Sequence, residues 1–434
     1  MATALRNGVR SAALACVCSL LCVSCRNGLP AGVVELRYMA WGNPQQLALE
    51  ESLCQKFNSQ NPGLYVRFVR VPASAYANKM VLMLASHTAP DVMRVDHYNF
   101  PALVKRDYFL DLSPYAKADK EFHEADFFPA AVSECKWKNR LYALEVLFGG
   151  IILSYNKNLV KAAGLEDPYL VWKKGEWTWD RFREYARRMT AKGPNGRYLT
   201  FGTTIPSFPT DLLPVRDYGG EILGSDGFVH LDSPAAMIGW NMWHEMETTD
   251  KCAPTASQAA NSAYPFESGK LGMEFSFIGT AVRYREVIKD FDWDTCPVPK
   301  GPEFGGSLLK GNQLAASADT QHPEAAWRFI RFMTSEPTEK LLSEKIRRCL
   351  PTRKRLAASP EYLKSARPPY HLDTYLDVAE HGRTLPITDR WAEWTTAFIG
   401  PVQAWLDSGE GDGRIAVHRG VVAANRVLSD EEGL

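Results

Sequence analysis

The stretch that most restricts what this chain can fold into runs from Leu141 to Leu159, LYALEVLFGGIILSYNKNL. Tyr142, Leu144, Val146 and Phe148 alternate as on one face of a strand. After Gly149-Gly150 a second extended run, Ile151 to Tyr155, precedes a helix that starts near Asn156. The paired glycines remove two Cβ atoms, so another backbone or a ligand can come close. Two readings fit the window: a chain leaving one domain for another, or a bulged strand within a single sheet.

The length of 434 residues exceeds one ordinary core and points to two or three domains. Lysine plus arginine and aspartate plus glutamate both number 50, so the formal net charge is zero. That balance argues against a polyanionic partner, and nucleic acid is not expected.

The N-terminus reads as an export signal. Arg6 and Arg10 form a basic start, and Ser11 to Ser24 form an apolar segment too short to span a bilayer. Its end, Leu21-Cys22-Val23-Ser24-Cys25, resembles a bacterial lipobox, in which Cys25 carries the lipid. Cys22 stands where leucine is usual, so a plain signal peptide cleaved elsewhere is the alternative. The remaining cysteines, Cys54, Cys135, Cys252, Cys296 and Cys349, are scattered without a CxxC pair. Zinc and redox chemistry therefore have no support, and most of these thiols read as buried small hydrophobes. Export permits disulfides, but an odd number leaves at least one thiol unpaired within the chain.

Strands and helices then alternate. Val34 to Met39 reads as a strand; Asn43 caps a helix with Pro44 at its first position and Leu49, Leu53 and Phe57 on one face; Asn61-Pro62-Gly63 stops it. Tyr65 to Val71 and Asp91 to Val95 read as strands flanking a helix from Tyr76 to Ala85. Alternation of this kind predicts an α/β sheet with its ligands beyond the strand carboxyl ends, where Trp41 and Asp96-His97 fall. Further on, helices are expected from Asp180 to Lys192 with Thr178 or Asp180 as cap, from Ser233-Pro234 onward through Trp240 and Trp243, and from Ala263 to Gly269. Asp217 to Leu223 reads as a glycine-bearing loop and strand, and Leu271 to Phe277 and Leu314 to Ala318 read as strands. The proline- and glycine-rich segment Asp294 to Gly306 reads as a second connection between domains, and His322-Pro323-Glu324 opens a mainly helical final third.

Several short segments, in this order, resemble the extracellular solute-binding proteins of ABC importers, in particular the sugar-binding group. They include Ala89-Pro90-Asp91-Val92, Asp107 to Tyr115, Leu153-Ser154-Tyr155-Asn156-Lys157 with Ala163-Gly164-Leu165, and Trp177-Thr178-Trp179-Asp180. Gly219-Gly220, Phe266 to Met273, Pro297 to Gly301, Ala325 to Phe329 and Leu350-Pro351-Thr352-Arg353 continue the series. Each is weak alone; the collinear set covers nearly all of the mature chain. The resemblance implies a two-lobed, type II periplasmic-binding-protein-like α/β fold whose lobes close on the solute by a hinge. It divides the chain into a first lobe of residues 33–146 plus 299–321 and a second of 150–294 plus 322–434. It also implies a monomer, without cofactor or metal, that delivers a small carbohydrate to a membrane permease.

A sugar presents apolar C–H faces and a rim of hydroxyls, so its site needs flat aromatics together with carboxylates, amides or Arg. Carrying the resemblance over residue by residue gives Trp41, Asn43, Asp96, His97, Glu145 and Phe148 around the first sheet and the crossing. Gly219, Gly220, Trp240, Ser276 and Phe277 follow from the second lobe, then Gly311, Asn312, Arg353, Trp391 and Trp394. Trp240, Trp391 and Trp394 also lie in helical patterns that would bury them as core. His97 reads equally as a cap, and Arg353 as a tie for the C-terminal segment. Asp91 reads as structural. Two rival functions remain: an exported carbohydrate-active enzyme using Asp96 and Glu145 as acid and nucleophile, and a surface or sensor receptor on the same fold. Against the enzyme, the chain has no GxSxG, HExxH or GxxxxGK[ST] motif.

Overall fold

The computed structural model describes residues 29–261, 264–345 and 349–429. The export signal, the lipobox-like end and Cys25 lie outside them. Two sheets organise the described residues. The first has five strands in the order Leu64–Val71, Val34–Trp41, Val92–Asp96, Asn312–Ala316, Ala143–Leu147. The first three run parallel, and Asn312–Ala316 is antiparallel to both of its neighbours. Trp41, Asp96 and Leu147 therefore end at the same edge where Asn312 begins, and Asn312 pairs in register with Asp96 and with Leu147.

The second sheet is antiparallel, with Ile151–Asn156 between Met273–Phe277 and Trp293–Cys296. All six residues of the central strand are buried, as expected of a strand covered on both faces. Phe277 pairs with Ile151, so the end of one strand and the start of the other form the edge facing the first sheet. Gly149-Gly150 links the two sheets, which decides between the two readings of that stretch in favour of a crossing. Lys157–Ala162 follows as a helix capped by Asn156, whose side chain accepts from the backbone N–H of Asn158 and Leu159.

The crossing is a joint of several chains. Lys310 N–H donates to the Gly149 carbonyl (2.9 Å), Ile278 N–H to that of Gly150 (3.1 Å), and Leu350 N–H to that of Phe148 (2.8 Å). Close approach at Gly150 explains the residue choice. A Cβ there would stand 2.7 Å from Val378 Cγ1, 2.8 Å from Ser307 Oγ and 3.0 Å from the Leu308 carbonyl oxygen. At Gly149 a Cβ would meet only Ile278, at 3.9 Å.

The buried apolar residues correct the expected division of the chain in two places. The helix Pro323–Met333 places Ala326, Phe329, Ile330 and Met333 in the core of the first sheet, with Leu36, Val92 and Leu314, and not in that of the second. Its apolar stripe has to be covered, and Tyr38 and Phe57 meet the Phe329 ring at 5.1 and 5.2 Å. Conversely, Leu308 packs in the second core with Ile151 and Leu385, and Leu308–Leu309 pairs with Arg383–Thr384. The chain returns to the first sheet near Lys310 and Gly311, later than the expected residue 299.

A third cluster, containing Phe128, Phe148, Ile152, Leu350 and Tyr375, packs beside the joint. The expected helix from Ala263 shrinks to a 3-10 turn, Phe266–Ser268, closed by left-handed Gly269; Ala263 lies outside the described residues. The strand expected in Asp217 to Leu223 is absent: Asp217 ends the helix Leu212–Asp217, and Glu221 makes only an isolated bridge to His230. Cys54, Cys135, Cys252, Cys296 and Cys349 are all buried, and none of them forms a disulfide among the described residues.

Candidate functional site

A cavity of about 460 Å³ opens where the facing edges of the two sheets meet at the joint. This is the carboxyl-end crevice where an α/β sheet places ligands, and the volume suits a small molecule. A larger groove of about 770 Å³ between Asp232, Met237, Ile415 and His418 lies away from the strand ends, against the helices Pro234–Thr248 and Gly413–Ser429.

From the first sheet, Trp41 ends its strand half-buried at the cavity wall. One face of its indole lies over the Arg94 guanidinium, 4.2 Å from Cζ to the ring centre, and it tilts against Tyr76 at 4.5 Å. Arg94 is 1% exposed and donates to Glu50 at 2.8 Å, with the Glu50 side chain 3% exposed. A buried charge needs such a partner. Trp41 is thus fixed from beneath. Asn43 and Gln46, also on the wall, form a reciprocal capping box: Gln46 N–H donates to Asn43 Oδ1 (2.9 Å) and Asn43 N–H to Gln46 Oε1 (3.2 Å).

The return crossing supplies Lys310, Gly311 and Asn312. Lys310 Nζ lies 4.2 Å from the Tyr98 ring centre, 4.9 Å from that of Phe277 and 3.7 Å from Asp96 Oδ2. One cation thereby bridges Tyr98, just beyond the strand Val92–Asp96, and Phe277 of the second sheet. From the second sheet come Phe277, 36% exposed, and the start of the helix Thr280–Val287, with Gly279, Thr280 and Arg283 on the wall.

Of the residues expected from sequence, Trp41, Asn43, Phe277, Gly311 and Asn312 meet here, with Asp96 directly behind Lys310. The others lie elsewhere or serve differently. Phe148 touches the cavity but is 1% exposed, its ring packed near Phe128 at 6.2 Å, so it is no platform. Glu145 is 4% exposed and sits under Gly311, where a Cβ would fall 1.2 Å from its Oε1. Burial, then the neighbouring Glu134 charge, pushes the Glu145 pKa well up. With Glu145 beneath the floor, Asp96 and Glu145 do not flank the cavity as an acid and nucleophile pair.

His97 is likewise buried, 3.6 Å from Glu134. Burial, then Lys310, lowers its pKa to about 3, and burial, then Asp96, raises Glu134 to about 8. Trp240 and Trp394 are fully buried, donating their indole N–H to the Leu231 carbonyl and to Thr388 Oγ1. Trp391 is 6% exposed and stacks behind Tyr98, 5.7 Å between centres and 2° between planes. Arg353 binds Glu339 at 3.0 Å and the Thr334 carbonyl at 2.8 Å, the structural tie. Gly219 and Gly220 pack near Glu303 and Ala236, and Ser276 pairs within the sheet opposite Ile152.

Sequence reasoning missed Gln46, Arg94, Arg283 and Lys310. Arg94 sits in a strand that reads as plain core, and Lys310 sits in a loop without a periodic signal. Only Gln46 had a local signature, three residues after the Asn43 cap.

Residues 41–340 match the bacterial extracellular solute-binding protein family. The chain belongs to that family. A protein of Brucella abortus is 22% identical over 369 residues, covering 83% of this chain and 86% of its own length. An uncharacterized lipoprotein of Streptomyces antibioticus is 25% identical over 329 residues, covering 72% and 70%. Among solved structures, the ABC substrate-binding protein of Listeria monocytogenes in complex with cycloalternan superposes with a TM-score of 0.80 at 19% identity, over 92% of this chain and all of that one. The sugar-binding protein MalE of Xanthomonas citri does so with a TM-score of 0.77, 19% identity and the same coverage. The fold is the two-lobed one of these binding proteins, and the family's function, extracellular solute binding, is that of this solute-binding protein.

Proposed function

We propose that this solute-binding protein captures a carbohydrate in the cavity at the joint and hands it to the permease of an ABC importer, held to the membrane through a lipid on Cys25. The observation that carries the reading is the cavity wall itself. Two flat aromatics, Trp41 and Phe277, come from opposite sheets, and Asn43, Gln46, Asn312 and Thr280, with their amide or hydroxyl side chains, line the same cavity. That is the combination a pyranose needs, apolar faces for its C–H groups and neutral hydrogen-bonding groups for its rim. The sugar complexes among structures of the same fold support it, as does the lipoprotein among the sequence relatives. Closure needs no covalent step, because a ligand touching both lobes binds the closed state more tightly and populates it.

Calorimetric titration of the mature chain against a saccharide panel tests the reading. A saccharide that binds, and whose affinity falls about tenfold or more in Trp41→Ala, supports it. Binding confined to an amino acid, polyamine or metal ion refutes it. Radiolabelled palmitate incorporation that is lost in Cys25→Ala tests the anchor, and incorporation unaffected by that substitution refutes it.

A further inference from the structure

All the charged side chains on the cavity wall are cations. Arg94, Arg283 and Lys310 line it, and no carboxylate does so among the described residues. Neutral sugar hydroxyls are held well by carboxylates, which accept charge-assisted hydrogen bonds. Here the carboxylates lie off the wall. Glu50 is buried on the Arg94 guanidinium, Asp96 sits 3.7 Å behind Lys310, Glu267 pairs with Arg283, and Glu145 is under the Gly311 backbone.

Two of the cations reach the wall from different elements. Lys310 comes from the return crossing, and Arg283 from the first turn of Thr280–Val287. That helix starts at the wall with Gly279 as its cap, which has no side chain to offer its amino-terminal N–H groups, while the N–H of Ala281 and Val282 turn back to the Ile278 and Gly279 carbonyls. The helix end carries partial positive charge, so it adds to the two side chains. Arg94 differs in its burial: only 1% exposed, covered on one face by Trp41 and held by Glu50, it is the support of the aromatic platform.

From this arrangement we propose that the saccharide taken up by this protein is acidic, bearing a carboxylate or sulfate. Its anionic group lies between Lys310, Arg283 and the start of Thr280–Val287, while a neutral ring covers Trp41. The proposal rests on the carbohydrate reading above and deepens it. Lys310 is the principal contact. Its side chain is only 22% exposed and is held over Tyr98 and Phe277, so little conformational freedom is lost on binding. Arg283, 61% exposed, swings from Glu267 to reach the ligand.

The test is titration of the mature chain with matched pairs: digalacturonate beside its carboxyl-reduced parent, and a sulfated disaccharide beside the unsulfated one. In at least one pair the anionic member is expected to bind about tenfold tighter or more, with an advantage that shrinks as ionic strength rises. The same advantage should shrink in a Lys310→Met/Arg283→Met variant whose melting shows it is folded. The pair that responds separates carboxylate from sulfate. Equal or tighter binding of the neutral member in both pairs overturns the acidic-saccharide proposal and leaves the carbohydrate reading standing. Binding of inorganic phosphate or a dicarboxylate with no saccharide bound overturns both.

Discussion

Adding one methyl group at Gly150 should cost this protein stability, whereas adding it at the neighbouring Gly149 should not. Neither glycine has a positive φ, so alanine fits both backbones. By itself Gly→Ala at a compatible site stabilises by about 0.4–1 kcal/mol, because it restricts the unfolded chain. At Gly149 the new Cβ meets nothing closer than 3.9 Å, so that gain is expected in full. At Gly150 three atoms stand within 3.0 Å, one of them backbone, and Val378 is itself 1% exposed with little room to turn. Overpacking of this kind costs about 1–3 kcal/mol, so Gly150→Ala should lose about 1–2 kcal/mol net.

Because Ser307 Oγ donates to the Ile151 carbonyl at 2.7 Å, the displaced atoms also hold the crossing together, and ligand affinity should fall with stability. Urea unfolding followed by tryptophan fluorescence measures the first effect, and calorimetry the second. The Gly150→Ala/Val378→Ala pair should show a coupling of about 0.5 kcal/mol or more, since the second change removes the nearest obstacle. If Gly150→Ala is as stable as Gly149→Ala, the close-packed joint is refuted.

Four further outcomes follow from the geometry. Arg94→Met should destabilise by about 3–5 kcal/mol in urea unfolding, because it removes the cation beside the buried Glu50 and leaves that carboxylate only neutral donors such as Tyr38, while Arg94→Lys, which keeps the charge but not the flat support under Trp41, should fall between it and the parent. Trp240→Phe and Trp394→Phe should lower stability yet leave the dissociation constant within about twofold, because both indoles are committed to core hydrogen bonds; a tenfold change would return them to the site. Glu134, raised to about 8 from 4.5, contributes stability that is fully present below pH 4.5 and is lost as pH rises to 8, so Glu134→Gln should flatten the decline between pH 6.5 and 8 in a pH series of unfolding midpoints. His97, lowered to about 3 from 6.5, contributes stability that is present above pH 6.5 and lost as pH falls toward 3, so a neutral His97→Gln that folds should lose less stability across that acid range.

Much of the fold was legible because local rules act within a few residues. The Asn43-Pro44 start, the Asn156 and Thr178 caps, and the stripe of Pro323–Met333 are each decided by backbone groups one turn away. Strand endings such as Trp41 and Asp96 followed from alternation. The partner of each element was less legible. The stripe on Pro323–Met333 says that the helix must be covered, and says nothing about which sheet covers it. The same limit applies to Trp240, Trp391 and Trp394: a tryptophan in a helix looks alike whether it faces a sugar or a core.

By itself, then, the sequence determined the alternation of strands and helices and the family, and marked Gly149-Gly150 as a break in an extended run that the fold resolved into a crossing. Tertiary structure alone decided which polar groups reach the cavity. Glu145 and Lys310 show the physical reason. The backbone of Gly311 covers the carboxylate of one, in the low-dielectric interior that pushes its pKa well up, while the amine of the other spans the rings of Tyr98 and Phe277, 212 and 33 residues away from it in the chain. Separations of that size leave no local pattern, so only folding brings the amine and the two rings together.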